Sequence, residues 1–317
     1  MAARVAVVGS MNMDLVVQTS HFPKPGETVI GSDLLTIPGG KGANQAVAAA
    51  RLGANVAMIG RVGDDLFGRQ LQDNLAADQI DLRHVKVTPD TASGVALIVV
   101  DESGQNSIVV SSGANARVTV ADVDSAAKTI TTADVLVLQL EIPLDAVAKA
   151  AQLARQSGVQ VILNPAPATK LPAELLALVD ILIPNESETT TITGLPTGSQ
   201  EEIESAAADL LAAGVSSVIL TLGEKGAFIA QEGTTRHIPA LIVEQVVDTT
   251  AAGDAFVGGL ATAIGEGKSI TEAVSWGNAT GALAVTRAGA QPSLPIRKEV
   301  EKLLDQATSA GRQGVMM

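Results

Sequence analysis

The stretch Asp248-Thr249-Thr250-Ala251-Ala252-Gly253-Asp254-Ala255-Phe256 joins small and polar residues to the apolar run 255–264. It reads as a turn entering a helix whose first turn lies open to a cleft. Backbone N–H groups around Ala251, Ala252 and Gly253 would be left free there. Free N–H groups at a helix start attract anions, phosphate above all. Asp254 then puts a negative charge where an anion would dock. A carboxylate in that place suits a general base, taking the proton of a hydroxyl that attacks the phosphate. A helix cap or a partner for the helix dipole is the plainer reading, and the stretch alone leaves both open.

Two more stretches carry polar groups at useful spacing. Over 12–18, strand alternation puts Asn12, Asp14, Val16 and Gln18 on one face and Met13, Leu15 and Val17 on the other. An amide and a carboxylate two residues apart on one strand face lie roughly 7 Å apart. That suits neighbouring hydroxyls of a polyol, although an ordinary solvent-facing strand would read the same way. Pro38-Gly39-Gly40-Lys41-Gly42-Ala43-Asn44-Gln45 runs into an Ala-rich helix over 46–52. It is not a P-loop, because Gly42 follows Lys41 and no strand leads closely into it. It is not a dinucleotide fingerprint either, because Gln45 stands where the third Gly belongs. What remains is a glycine turn at a helix start, with Lys41 and Asn44 directed into it, able to bring N–H groups close to a small ligand. A plain tight turn is the alternative.

The elements that must position these residues alternate along the chain. Apolar strands are expected at 4–8, 56–59, 135–140, 160–163, 181–183 and 217–221, and helices at 67–78, 144–157, 201–213, 255–264, 271–285 and 297–306. Gly63-Asp64-Asp65 reads as a turn with a cap. Polar or Gly-rich residues follow the strands: Gly9-Ser10, Gln139-Leu140-Glu141, Asn164-Pro165, Asn185-Glu186-Ser187-Glu188, and Leu222-Gly223-Glu224-Lys225-Gly226. In a parallel α/β sheet these carboxyl ends share one edge, where ligands bind. Glu141, Asn185, Thr221 and Gly223 would line that crevice. Asn185 and Glu188 share one face of a starting helix and suit Mg²⁺ held through its waters; capping explains Asn185 as well. Runs 12–18, 28–37, 94–100 and 107–110, the last two joined by a hairpin signal at 102–105, would form a small separate sheet. Set above the crevice it would serve as a lid, and its edges and apolar face would favour dimerisation. Trp276 reads as core, and 311–317 as a frayed tail.

Composition narrows the classes. The 317 residues are 46% apolar and 17% charged, the profile of a globule with a large core. A net charge of −13, one Trp, no Tyr and four Phe argue against nucleic-acid binding. The absence of Cys fits the cytoplasm and excludes thiolate metal sites. His21, His84 and His237 show no metal spacing. No run is long enough to span a membrane, and the stretch before Ser10 is too short for a signal sequence. No repeat or linker divides 1–317, so a single α/β domain is expected, with the lid at about 12–37 and 92–111 inserted in it.

Several segments together resemble the ribokinase/fructokinase-type family of carbohydrate kinases. They are Gly9-Ser10-Met11-Asn12-Met13-Asp14, Gly39-Gly40-Lys41-Gly42-Ala43-Asn44-Gln45-Ala46, Asn164-Pro165-Ala166-Pro167 and Pro184-Asn185-Glu186. Thr221-Leu222-Gly223, Asp248-Thr249 with Ala252-Gly253-Asp254, and Thr286-Arg287 with Gly289-Ala290-Gln291-Pro292-Ser293 complete the set. Each motif is weak; the ordered set, over nearly the whole chain, is specific. The resemblance implies a Rossmann-like, mostly parallel sheet flanked by helices, with a small β-lid that pairs in a homodimer. It implies ATP-dependent phosphorylation of the 5-hydroxyl of D-ribose; a 2-deoxyribose kinase, or another sugar or nucleoside kinase of the family, would be nearly as similar. Asp254 would be the base, and Ala251, Ala252 and Gly253 the anion hole. Asn12, Met13, Asp14, Gly39, Gly40, Lys41, Gly42, Asn44 and Glu141 would hold the sugar. Asn185, Thr221, Leu222, Gly223, Glu224, Lys225, Gly226 and Asn278 would bind ATP, with Gly253 and Asp254 at its phosphates; some relatives carry His at 278. Glu188 would reach Mg²⁺ through water. Asp248, Thr250, Ala284, Arg287, Gly289 and Ser293 match the family's K⁺ loop, mostly through backbone oxygens. A non-catalytic sugar sensor would need neither Asp254 nor an anion hole, and a dinucleotide oxidoreductase would need the missing fingerprint.

Overall fold

In this computed structural model, which describes residues 2–314 and side chains to 309, the apolar runs become the strands of one large sheet. The strands are β1 (Arg4–Val8), β2 (Asn12–Gln18), β3 (Leu35–Gly39), β4 (Asn55–Gly63), β5 (Asp81–Thr88), β6 (Gly94–Val100) and β7 (Asn106–Ser111). They continue as β8 (Val135–Leu138), β9 (Gln160–Leu163), β10 (Ile181–Leu182), β11 (Ser217–Thr221), β12 (Ala227–Gln231) and β13 (Thr234–Ile238). The central sheet has the order β13-β12-β11-β10-β9-β8-β1-β4-β5. It is parallel except at β11–β12 and β12–β13.

Strand alternation divides the core. Val5 and Val7 point into one cluster, with the helices Lys41–Arg51, Ala252–Gly265 and Ile270–Ala284. Ala6 and Val8 point into the other, with the helices Leu144–Gln156 and Gln200–Ala212. Both faces are covered, as a parallel sheet requires. Trp276 lies in the first cluster, with Lys268 and Arg297 over its ring at 5.3 and 5.0 Å.

A second sheet has the order β3-β2-β6-β7, antiparallel except for β2–β6. Its outer residues Leu97, Ile108, Val109 and Val110 are exposed. The extended stretch expected over 28–37 is corrected: only Leu35–Gly39 pairs, while 28–34 is open loop in which Gly31 lies against Val17 and the carbonyl of Gln18.

Other expectations are corrected as well. Strand β3 runs straight into the Gly40 turn, contrary to the reading that none leads closely into it. The following helix starts at Lys41 rather than 46, and the helix after the Asp248 turn starts at Ala252 rather than 255. Strands β5, β12 and β13 join the sheet without having been expected from the sequence. The last helix continues to Gly314, through part of the expected tail; 315–317 lie outside the described residues. No described helix is long and apolar enough to cross a membrane.

Candidate active site

In the central sheet the chain turns to opposite sides of β1: β4 lies on one flank and β8 on the other. That is a topological switch point, where the loops after adjacent strands part and leave a crevice. Ser10, just past β1, and Glu141, past β8, meet there through a Ser10 Oγ donation to Glu141.

Gly39 and Gly40 bring the small sheet down onto this crevice. A Cβ on Gly39 would stand 2.2 Å from Asp14 Oδ2; one on Gly40, at φ 88°, would stand 2.6 Å from the Asn12 nitrogen. Only glycine permits both approaches. Asn12 and Asp14 are buried, which excludes the solvent-facing reading of β2. Met13 lies on the opposite strand face in the core, so only its backbone is left for a pocket. Burial pushes the Asp14 carboxyl up to about 7, with Glu141 and Asp254 adding and Lys41 opposing. For Lys41, burial is the largest influence and lowers the pKa. Asp254, Glu141, Glu188 and Asp14 together outweigh it, so the ammonium is held charged.

The two helix starts at the crevice differ. At the first, the Lys41 N–H donates to Glu141 Oε2 at 3.1 Å, the Gly42 N–H to Ser10 Oγ at 3.3 Å and the Ala43 N–H to the Ser10 carbonyl at 2.9 Å. Those amides are occupied by the protein, which corrects the expectation that this turn offers N–H groups to a ligand. At the second, only Ala252 of the expected anion hole donates internally, to the Thr249 carbonyl at 3.2 Å. The amides of Ala251, Gly253 and Asp254 have no protein acceptor among the described residues. This start is open.

The two helices cross closely at Gly258, where a Cβ would stand 2.4 Å from the Ala48 Cβ. That crossing sets Asp254 beside the first helix. Asp254 is buried and does not cap its own helix: it accepts Asn44 Nδ2 at 2.8 Å and Gln45 Nε2 at 2.9 Å. Gln45 also donates to Asn164 Oδ1 at 3.1 Å and accepts Gln139 Nε2 at 2.6 Å. The buried Oδ1 of Asn44 and Oε1 of Gln139 have no protein donor. Ser10, Gln45, Gln139 and Asn164 were not among the site candidates. They stood at strand ends or within the quoted motifs, the one signal available for them.

Asn185 caps the helix Glu186–Thr193: its side chain accepts the Glu188 N–H at 2.8 Å, and Glu188 Oε2 accepts the Asn185 N–H at 2.8 Å. Burial raises the Glu188 pKa, Asp254 adds to the rise, and the Asn185 bond and Lys41 oppose it. Its other oxygen has no protein donor among the described residues and fits a water-mediated Mg²⁺ contact. Asn185 and Thr221 are bridged as neighbours. Gly223, Glu224 and Lys225 form an exposed turn closed by the Leu222 N–H to the Gly226 carbonyl at 2.8 Å. The Leu222 side chain itself is core. Asn278 Nδ2 donates to the carbonyls of Ile238 and Pro239 at 3.3 and 3.1 Å.

Asp248 ties the two parts of the expected cation loop together. It accepts the N–H and Oγ1 of Thr250 at 2.9 and 2.5 Å, and the Gly289 N–H at 2.8 Å. Burial pushes its pKa up, but these bonds outweigh it and hold the carboxyl below its ordinary range. The carbonyls of Asp248, Thr250, Arg287 and Gly289 accept no protein donor among the described residues, which fits a hard cation. The Ala284 carbonyl accepts the Arg287 N–H, Ser293 Oγ donates to the Ala290 carbonyl, and the Arg287 side chain pairs with Glu299. The described residues contain no group of three or more His, Cys, Asp or Glu placed to hold a metal.

An open helix start beside a buried, amide-held carboxylate, at the switch point of a parallel sheet, is the arrangement of a phosphotransferase. Residues 2–297 match the pfkB family of carbohydrate kinases, and the chain belongs to that family. It is 44% identical over 307 residues to a ribokinase of Haemophilus influenzae, across 97% of this chain and 100% of the relative. A deoxyribokinase of Salmonella typhi is 38% identical over 95% of this chain and 98% of its own. Among solved structures, an Arabidopsis thaliana ribokinase complexed with ribose and ATP has a TM-score of 0.90 at 37% identity, over 96% of this chain and 99% of that one.

Proposed function

We propose that this chain transfers the γ-phosphoryl group of ATP to the 5-hydroxyl of D-ribose, giving D-ribose 5-phosphate and ADP. The observation that carries this reading is the set of open amides at Ala251, Gly253 and Asp254, beside the Asp254 carboxylate held by Asn44 and Gln45. Asp254, held by Asn44 and Gln45, takes the hydroxyl proton as the sugar oxygen attacks phosphorus. The P–O bond to the β-phosphate breaks in line, and ADP leaves with its electron pair. Amides of Ala251 and Gly253, with Ala252 once it leaves Thr249, stabilise the transferring oxygens.

Asn12, Asp14, Lys41, Asn44 and Glu141, with the backbone of Met13 and of the glycines at 39 and 40, form the sugar site, while the Gly42 amide is taken by Ser10. Asn185, Thr221, the turn 222–226 and Asn278 form the nucleotide site. Glu188 would reach Mg²⁺ through water, and the ion would supply charge neutralisation on the phosphates. Oxygens of Asp248, Thr250, Ala284, Arg287, Gly289 and Ser293 would hold K⁺. The small sheet, at about 12–37 and 92–111 within a single kinase domain, is a lid that excludes water on closure. Its exposed Leu97 and Ile108–Val110 support pairing with a second copy. The absence of Cys supports a cytoplasmic setting.

The 38% identical deoxyribokinase favours 2-deoxyribose as the second reading. ATP consumption measured in parallel on D-ribose, 2-deoxyribose, fructose and adenosine tests both. D-ribose should give the highest kcat/KM. A tenfold preference for another acceptor, or no turnover on ribose, overturns the assignment.

A further inference from the structure

The chain crosses between the two sheets four times: at 11–12, 39–40, 93–94 and 111–115. The last crossing is a 3₁₀ turn, Gly113–Arg117, carrying the fully buried Asn115. No sequence motif singled this residue out. Asn115 Oδ1 accepts the Met11 N–H at 3.0 Å. Its Nδ2 donates to the Met11 carbonyl at 3.1 Å and to Asn12 Oδ1 at 2.7 Å. Gly94 closes over the pair, where a Cβ would stand 2.1 Å from Asn12 Oδ1 and 2.2 Å from Asn115 Nδ2.

The polarity of this chain of bonds is determined at one end. A backbone N–H can only donate, so the Asn115 atom facing Met11 N must be oxygen. Its NH₂ therefore faces Asn12, and the Asn12 atom it meets must in turn be oxygen. That leaves Asn12 Nδ2, which bonds to no protein atom among the described residues and is not sealed from solvent. We propose that Asn115 is a positioning residue for sugar recognition, fixing the Asn12 amide so that it offers N–H donors to a hydroxyl oxygen of the sugar. Asp14, two residues on, offers acceptors, so adjacent hydroxyls meet one donor and one acceptor. The bond also ties the base of the small sheet, where β7 returns, to the pocket.

This inference rests on the placement of Asn12 in the sugar site, and the test separates the two. D-ribose and ATP affinities are measured by calorimetry on N12A, N115D, N115A and N12A/N115A, with Tm for each. A carboxylate at 115 cannot donate to Asn12 Oδ1, so the Asn12 amide turns over. N115D should weaken ribose about tenfold, the order expected for a lost and reversed hydrogen bond, with ATP affinity within about twofold. N115A adds no buried charge and carries the same test at smaller amplitude should N115D not fold. In the N12A background, N115A should change ribose affinity less than about twofold, although its Tm cost persists. Ribose affinity unchanged in folded N115D or N115A, or an equal loss in both backgrounds, overturns the positioning role. Unchanged affinity in N12A overturns the sugar-site reading, and this inference with it.

Discussion

Asp14 gives the sharpest quantitative expectation, because its burial makes stability and function oppose each other. Its carboxyl is pushed from the ordinary 3.8 up to about 7, by burial first and then by Glu141 and Asp254, against Lys41. The folded protein therefore holds this proton more tightly than the unfolded chain does. Unfolding free energy then falls as pH rises from about 4 to about 7 and stays lowered above that. At about 1.36 kcal/mol per pH unit, the ionised group costs the ligand-free protein about 4 kcal/mol at pH 8.5. Asp14→Asn keeps the shape and removes the charge. For 317 residues, an unfolding entropy of about 2.1 cal/mol/K per residue turns 4 kcal/mol into a rise of about 6 °C in Tm. At pH 5 the gain should shrink to about 1–2 kcal/mol. The same variant should lose ribose affinity by about 10²-fold, since hydrogen bonds to a charged acceptor are worth about 1.5–3 kcal/mol each. Wild-type ribose affinity should itself weaken as pH falls below 7, where the acceptor is protonated. Thermal unfolding at the two pH values, with ribose titrations, checks this. No rise at pH 8.5, or the same rise at both pH values, refutes the burial argument; unchanged ribose affinity refutes the placement of Asp14.

Asp254→Asn can accept from only one of Asn44 and Gln45, and cannot take a proton. Its kcat should fall by about 10²–10⁴ with ribose and ATP still bound, and near-normal turnover would remove Asp254 from the chemistry. Activity should rise with K⁺ and not with equal Na⁺, because the loop around Asp248 offers carbonyl oxygens; equal response to both ions would count against a K⁺ site. Away from the site, Asp122 is buried between Arg61 and Lys86 and accepts the N–H of Thr119, the N-cap of the helix beginning at Val120. Asp122→Ala leaves Arg61 unpaired and should cost about 3–5 kcal/mol in urea unfolding, with a loss under about 1 kcal/mol contradicting it.

Local signals sufficed wherever one segment carries its own pattern. Strands β1, β2, β6, β9 and β11 were legible because their apolar or alternating runs are bounded by Gly, Asn or Ser. The β6–β7 hairpin was legible from its Gly104 turn, where φ is 79°. Strand β13, by contrast, is Thr-Thr-Arg-His-Ile, mostly exposed, and pairs only because β12 lies alongside. Strand β5 is half polar and exists as the edge partner of β4. Their stabilisation comes from a neighbour, not from their own sequence.

The sequence by itself determined the α/β class, the family, and which residue types stand at the strand ends. Those follow from short-range periodicity and from motifs contiguous in the chain. Only the tertiary structure decided that Lys41, Gly42 and Ala43 spend their amides on Glu141 and Ser10 while the start at Ala252 stays open. It alone turned Asp254 from a possible cap into a carboxylate held by Asn44 and Gln45, and linked Asn115 to Asn12. The physical reason is common to all three. A donor is free or occupied according to which acceptor the fold brings within about 3 Å, and here those acceptors lie from 32 to 210 residues away in the chain.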